Sequence, residues 1–239
     1  MIAENISEKF GNITLFGDSI PKGYTTIGGK IDKIEENAVQ ILEKEYKISI
    51  ENRSKYGITL HRLYERQVIE KYLEDSAGDP KRTVVFCIGG NDSDFDWKAV
   101  AASPLEAHES KTPLKLFRKE LNELISKLQR EGVKVAITTL PPVDSARFYE
   151  TVICKIADGE QVLRFFDGDL TNISRCQEGY NLAIMETAAE NGCKLIDIRS
   201  PFLMRRDYLH HYSDDGIHPN QNGHRIIAES VMQFIDALE

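Results

Sequence analysis

Five short apolar runs punctuate the chain: ITLF at residues 13–16, ISIEN at 48–52, TVVFCIG at 83–89, KVAITTL at 134–140 and KLIDI at 194–198. Runs this short and this continuously apolar suit strands covered on both faces, as in a parallel sheet. Between them lie longer stretches whose apolar residues recur at helical spacing. GKIDKIEENAVQILEKEY (29–46) carries Ile31, Ile34, Val39, Ile41 and Leu42 in that pattern. TLHRLYERQVIEKYLED (59–75), LKLFRKELNELISKLQREG (114–132), GYNLAIMETAAENG (179–192) and NQNGHRIIAESVMQFIDALE (220–239) behave alike. Gly132 and Gly192 stand where helix C-caps belong. Strands alternating with helices predict an α/β fold: a three-layer α/β/α sandwich around a mostly parallel five-stranded sheet.

Two stretches interrupt the alternation, residues 93–113 and 144–175, each directly after a strand. Open α/β sheets bind ligands beyond the carboxyl ends of their strands, so insertions there are expected to cover a site. No repeat, low-complexity tract or linker divides the chain, which predicts one domain over residues 1–239.

Composition narrows the partners. The chain is 41% hydrophobic and 28% charged, ordinary for a globular protein with a full core. A net charge of -8 and the lack of any Lys/Arg-rich run argue against nucleic acid and anionic membrane surfaces. The N-terminal MIAENISEKFGN has no basic and apolar regions of a signal peptide, and no apolar stretch is long enough to span a bilayer. Cys87, Cys154, Cys176 and Cys193 form no C-x-x-C pair and no metal-like spacing with His. They read as small hydrophobes, and a cytoplasmic location is expected.

The chemistry sits at the strand ends. The first strand runs into Gly17-Asp18-Ser19, a turn that exposes a hydroxyl or caps a helix. The second leads to Gly57, and the third ends in Gly89-Gly90-Asn91-Asp92. Gly57 lets backbone approach a ligand or serves an ordinary turn. Asn91 is placed to donate from its amide or to shape a turn. Near the C-terminus stands DDGIHPNQNGH, residues 214–224. It is a polar turn before a helix, or a carboxylate paired with an imidazole three residues on.

Taken in order, GDSIPKG (17–23), Gly57, GGND (89–92) and DGIHP (215–219) resemble the four blocks of the SGNH hydrolases, or GDSL esterases/lipases. The resemblance spans residues 17–219. Pro21 departs from it, standing where the family often has a small polar residue, and the second block is carried by Gly57 alone. The resemblance implies a flavodoxin-like SGNH hydrolase fold and Ser-His-Asp machinery. Ser19 would be the nucleophile, His218 the general base and Asp215, rather than Asp214, the group that orients it. The Ser19 N–H, Gly57 N–H and Asn91 amide would form the oxyanion hole. Asp18 would order the loops, Pro219 would open the last helix at its first turn, and no cofactor or metal is required.

Other polar groups are weaker candidates. Asp92, Asp94 and Asp96 alternate like the start of a calcium loop, but Trp97 stands where that loop needs Gly and Ser103 where it needs Glu. His61 and His224 read as surface residues of helices, and His210 and His211 precede the catalytic loop. Trp97 caps a substrate pocket or fills core under a loop. The expected substrate is a small-molecule or carbohydrate ester with a short acyl group. The insertions mix carboxylates, Arg147 and aromatics without a long Leu or Phe run. A lysophospholipase or thioesterase, and a catalytically silent binding module on the same fold, are the alternatives. A flavodoxin-like nucleotide binder is disfavoured, since no Gly-rich phosphate loop follows the first strand.

Overall fold

The computed structural model describes residues 6 and 8–238. Its strands, in chain order, are β1 (Asn12–Gly17), β2 (Tyr24–Ile27), β3 (Lys30–Lys33), β4 (Ile50–Asn52), β5 (Arg82–Cys87), β6 (Lys134–Thr138) and β7 (Lys194–Ile196). The helices are α1 (Ala38–Tyr46), α2 (Leu60–Glu65), α3 (Val68–Asp75), α4 (Trp97–Ala102), α5 (Leu114–Arg130), α6 (Ser145–Phe148), α7 (Cys154–Ile156), α8 (Gly159–Phe165), α9 (Thr171–Glu190), α10 (Ser200–Leu203) and α11 (Gln221–Asp236).

The five apolar runs supply a five-stranded sheet in the order β4-β1-β5-β6-β7, every pairing parallel. Alternation along the strands builds two inner faces. Phe16, Val84, Phe86 and Ile137 meet Leu121, Leu124 and Ile125 of α5 and Tyr180 and Ile184 of α9. The intervening Ala136 and Ile196 meet Leu42 and Tyr46 of α1 and Ile226 and Ile227 of α11. The result is the three-layer sandwich expected from the pattern. After β1 the chain pairs β4 on one side, then crosses so that β5 pairs β1 on the other. The crevice between β1 and β5 is therefore the sheet's switch point, where such folds bind ligands.

The structure corrects several local expectations. Residues 29–46 are not one helix. Gly28 and Gly29 both have positive φ, 59° and 74°, and close a two-residue turn between antiparallel β2 and β3. The helix starts only at Ala38, behind Asn37, whose side chain and that of Gln40 form a reciprocal cap. No helix follows Ser19; the chain turns through residues 20–23 into this hairpin. Residues 59–75 split into α2 and α3 at Gln67, which is left-handed with φ 51°. The helix expected from residue 179 begins at Thr171. Pro219 lies outside the last helix. It bridges to Tyr212, and Asn220 caps α11 by accepting from the N–H groups of Asn222 and Gly223. His224 is fully buried rather than on the surface, because it lies on the inward face of α11. The insertions carry α4 and α6–α8, which join through Phe95, Trp97, Phe148 and Phe166 in an aromatic cluster.

Two carboxylates are buried beneath the strand ends. Asp18 accepts from the Ile20 N–H at 2.9 Å. Asp92 accepts from the Leu60 N–H with both oxygens at 3.0 Å and so ties the turn after β5 to the start of α2. Burial pushes both up to about 6, against an ordinary 3.8. The folded chain then binds more protons than the unfolded chain between these values, so stability falls as pH rises through that window. Each group costs up to about 3 kcal/mol once ionised. Chemical denaturation at pH 5 and pH 7 should show wild type less stable at pH 7, and Asp92→Asn should shrink that difference. An unchanged pH slope in the variant would mean that Asp92 titrates as an exposed carboxylate does.

Candidate active site

Ser19 follows β1 by two residues and is buried. Its Oγ lies 2.8 Å from His218 Nε2, although the two residues are 199 apart in sequence. His218 Nδ1 lies 2.7 Å from Asp215 Oδ2. With Nδ1–H donating to the carboxylate, Nε2 is free to accept the Ser19 proton. Asp215 Oδ1 accepts from the Ser213 hydroxyl at 2.9 Å, the Ile217 N–H at 3.0 Å and the His218 N–H at 2.9 Å. The Thr26 hydroxyl, from the β2–β3 hairpin, donates to Oδ2. Burial alone would raise the Asp215 pKa, but the hydrogen bonds and charge of His218 and the Thr26 hydroxyl outweigh it and hold the carboxyl well below the usual range. Asp214 points elsewhere: it is exposed and accepts from the Gly28 N–H at 2.6 Å.

Gly57 and Asn91 come to the same cleft as Ser19 and His218. Gly57 has φ 67°, a conformation that presents its N–H without a side-chain penalty. Neither its N–H nor that of Ser19 has an acceptor among the described residues. The Asn91 amide donates to the Ile58 carbonyl at 3.1 Å, which fixes its plane and leaves one amide hydrogen for the cleft. Ser19, Gly57 and Asn91 thus each bring a donor to residues that line the cleft. Asp18 lines the cleft floor.

The cleft has a volume of about 720 Å³ and is lined by both apolar and charged side chains. Val143, Phe148, Val152, Ile173 and Ile217, which belong to one apolar cluster, line it with Ile156, and Arg62, Glu65, Asp94, Asp96, Lys98 and Lys111 add charged groups. Trp97 joins the two roles considered for it: it packs in the aromatic cluster and borders the cleft, while its indole N–H is buried without a partner among the described residues.

The three alternating Asp residues serve separate partners. Asp92 holds α2, Asp94 pairs with Lys111 at 2.6 Å and Asp96 caps α4. Among the described residues no group of three or more His, Cys, Asp or Glu is placed to hold a metal ion. His61 also borders the cleft, held by Glu120 at 2.8 Å, and is half-buried. His210 is exposed. Sequence reasoning missed Thr26, Ser213 and Tyr56. The Tyr56 ring stacks on His218 with centroids 6.3 Å apart. Thr26 and Tyr56 meet Asp215 and His218 only through the fold, whereas Ser213 stands two residues before Asp215 in the same turn and was within reach of a local reading.

Comparison with known proteins gives the family and the fold. The Arabidopsis thaliana GDSL esterase/lipase CPRD49 is 25% identical over 232 residues, covering 95% of this chain and 79% of that protein. The lipase/acylhydrolase from Enterococcus faecalis superposes with a TM-score of 0.64 at 20% identity, covering 95% of each chain. A catalytic mutant of Axe2, an acetylxylan esterase from Geobacillus stearothermophilus, superposes with a TM-score of 0.61 at 19% identity, covering 95% of this chain and 94% of that one. The sequence profile of the GDSL-like Lipase/Acylhydrolase family matches residues 15–226, and the chain belongs to that family.

Proposed function

We propose that the protein is a serine-dependent carboxylic ester hydrolase. The observation that supports this most strongly is the unbroken hydrogen-bond chain Ser19–His218–Asp215 opening into a cleft. In this reading His218 Nε2 takes the Ser19 proton as Oγ attacks the ester carbonyl. The carbonyl oxygen becomes an oxyanion held by the Ser19 and Gly57 N–H groups and the Asn91 amide. The C–O bond to the alcohol then breaks, and His218 returns its proton to the departing alkoxide. Water, deprotonated by His218, attacks the acyl-enzyme, and Ser19 leaves reprotonated with release of the acid. Asp215 stays ionised throughout and stabilises the imidazolium. A binding module without activity would have no use for this proton path.

The finer reading is a short acyl group, such as acetyl, on a small or carbohydrate alcohol. Its support is the mix of charged and polar side chains that line the cleft and offer hydrogen bonds to an alcohol with hydroxyls, together with the fold shared with the acetylxylan esterase. A second reading has its own observation. The stripe Phe148, Val152 and Ile156, four residues apart, with Ile173 and Ile217, offers apolar cover for a longer acyl chain of the lysophospholipase or thioesterase kind. Residence in the cytoplasm is part of the proposal, supported by four free cysteines. Among the described residues no helix is long and apolar enough to cross a membrane.

Ser19→Ala should lower hydrolysis of p-nitrophenyl acetate at least about 10³-fold, with an unchanged melting temperature, and should abolish labelling by a fluorophosphonate. Full turnover in that variant would end the serine-esterase reading. For the two neighbouring carboxylates, Asp215→Asn should lower kcat about 10- to 10³-fold, less than the loss of Ser19, whereas Asp214→Asn should stay within about twofold. A larger loss from Asp214→Asn would assign the imidazole's partner wrongly. Acyl length is read from kcat/KM across p-nitrophenyl esters of two to twelve carbons, alongside acetylated mono- and oligosaccharides. The expected maximum is at two to four carbons. A maximum at eight or more would replace the short-acyl reading with the second one.

A further inference from the structure

Helix α5 buries one carboxylate among its apolar residues. Phe117, Leu121, Leu124 and Leu128 are buried on it, and Glu120 is buried with them, its side chain only 4% exposed. One Glu120 oxygen lies 2.8 Å from His61 Nδ1, and the other has no partner among the described residues. A carboxyl group buried with a single partner costs stability that an apolar residue in its place would not. What Glu120 gives in return is a fixed imidazole.

That imidazole belongs to the cleft. His61 stands in α2, four residues after Gly57 and next to Leu60, whose N–H is held by Asp92. Asp92 adjoins Asn91, so His61 is tied to the same segments as Gly57 and Asn91. His61 and Glu65, one helical turn apart, both line the cleft and both reach solvent, with side chains 33% and 60% exposed. Glu65 Oε1 lies 3.4 Å from His61 Nε2. The ring therefore runs from a buried carboxylate at Nδ1 to an exposed one at Nε2. With Nδ1–H donating to Glu120, Nε2 and the Glu65 carboxylate are two acceptors side by side. Hydroxyls on adjacent carbons of one molecule are spaced to donate to both. A second proton on the ring would let Nε2–H donate to Glu65 and still leave that carboxylate lone pairs for a hydroxyl.

We propose that His61 and Glu65 select the alcohol half of the substrate, accepting from neighbouring hydroxyls of a polyol ester, and that Glu120 is the positioning residue that holds the imidazole for this task. The inference rests on the ester-hydrolase reading above and names the alcohol for it. Loss of either acceptor removes a hydrogen bond that only a hydroxylated alcohol makes.

Selectivity is measured as the ratio of kcat/KM for glucose monoacetate to that for cyclohexylmethyl acetate, whose ring is of similar size without hydroxyls. The wild-type ratio should be at least about ten. His61→Phe and Glu65→Leu should each lower it at least about fivefold, through KM rather than kcat. Glu120→Leu should lower it as His61→Phe does, while the melting temperature holds or rises. Glu120→Gln, which still accepts from Nδ1–H, should restore the ratio. Calorimetric binding of glucose monoacetate to Ser19→Ala, and to the double variant that adds His61→Phe, separates this inference from the hydrolase reading. Failure of the wild type to turn over any ester ends that reading, whereas equal binding by these two proteins ends this one. It is also overturned by an unchanged ratio in His61→Phe, by loss of ratio and stability together in Glu120→Leu, or by faster turnover of acetylcholine than of glucose monoacetate, which would assign the pair to a cation.

Discussion

The Asp215 carboxylate is the point on which the candidate site is assembled. It collects donors from the Ser213 hydroxyl, the Ile217 and His218 backbone, the His218 ring and the Thr26 hydroxyl. Three of these belong to its own turn and give the loop its shape. The ring bond fixes the tautomer that faces Ser19. Thr26 ties the turn to the β2–β3 hairpin, and the neighbouring Asp214 repeats the tie through the Gly28 N–H and its own N–H to the Thr26 carbonyl. A buried carboxylate so fully satisfied remains ionised despite its burial. One side chain thus sets loop geometry, imidazole orientation and local charge together.

The sheet supplies what that turn needs on the other side. Strand order places the carboxyl ends of β1 and β5 side by side, with the chain leaving them in different directions. Ser19 and Asn91 are carried on those ends, and Gly57 follows β4, the other neighbour of β1. Parallel pairing therefore brings all three to one edge of the sheet without any contact between them in sequence. Asp92 then anchors the β5 end to α2 through the Leu60 N–H, so Asn91 stands between two fixed segments.

The features legible in the sequence were those with local signatures. All five sheet strands appeared as apolar runs, and their number was enough for the fold class. Ser19, Gly57, Asn91, Asp215 and His218 were visible because each follows or faces a strand end in a short patterned block. Expectation failed where two local signals competed. Ile31 and Ile34 fit a helical stripe, but Gly28-Gly29 in a stretch of Thr and Ile is a hairpin signal, and the turn chemistry won. Pro219 looked like a helix start, but Asn220, one residue on, is the better cap. The apolar cleft wall was hidden for a different reason. Phe148, Val152 and Ile156 do recur at helical spacing, yet Ile173 and Ile217 join them only through tertiary packing, so no single run announces the wall. His224 shows the limit of reading a polar residue on a helix as exposed. Its neighbours Ile226, Ile227 and Ala228 are buried, but only the fold shows that its own turn of α11 faces inward.

Two buried carboxylates show how the loops around the cleft are held. Asp18 lines the cleft and Asp92 stands next to Asn91, and burial raises the pKa of both. Each accepts from the backbone, Asp18 from the Ile20 N–H and Asp92 from the Leu60 N–H, so the bonds that fix the turns after β1 and β5 also offset part of the burial. The core between α5, α9 and the sheet is held differently, by Phe86, Phe117, Leu121, Ile137 and Ile184, which are fully buried and apolar. Packing of that kind fixes helices against a sheet but cannot set the backbone of a turn only a few residues long. At the strand ends a buried carboxylate does so, because its oxygens accept from N–H groups that the turn leaves free.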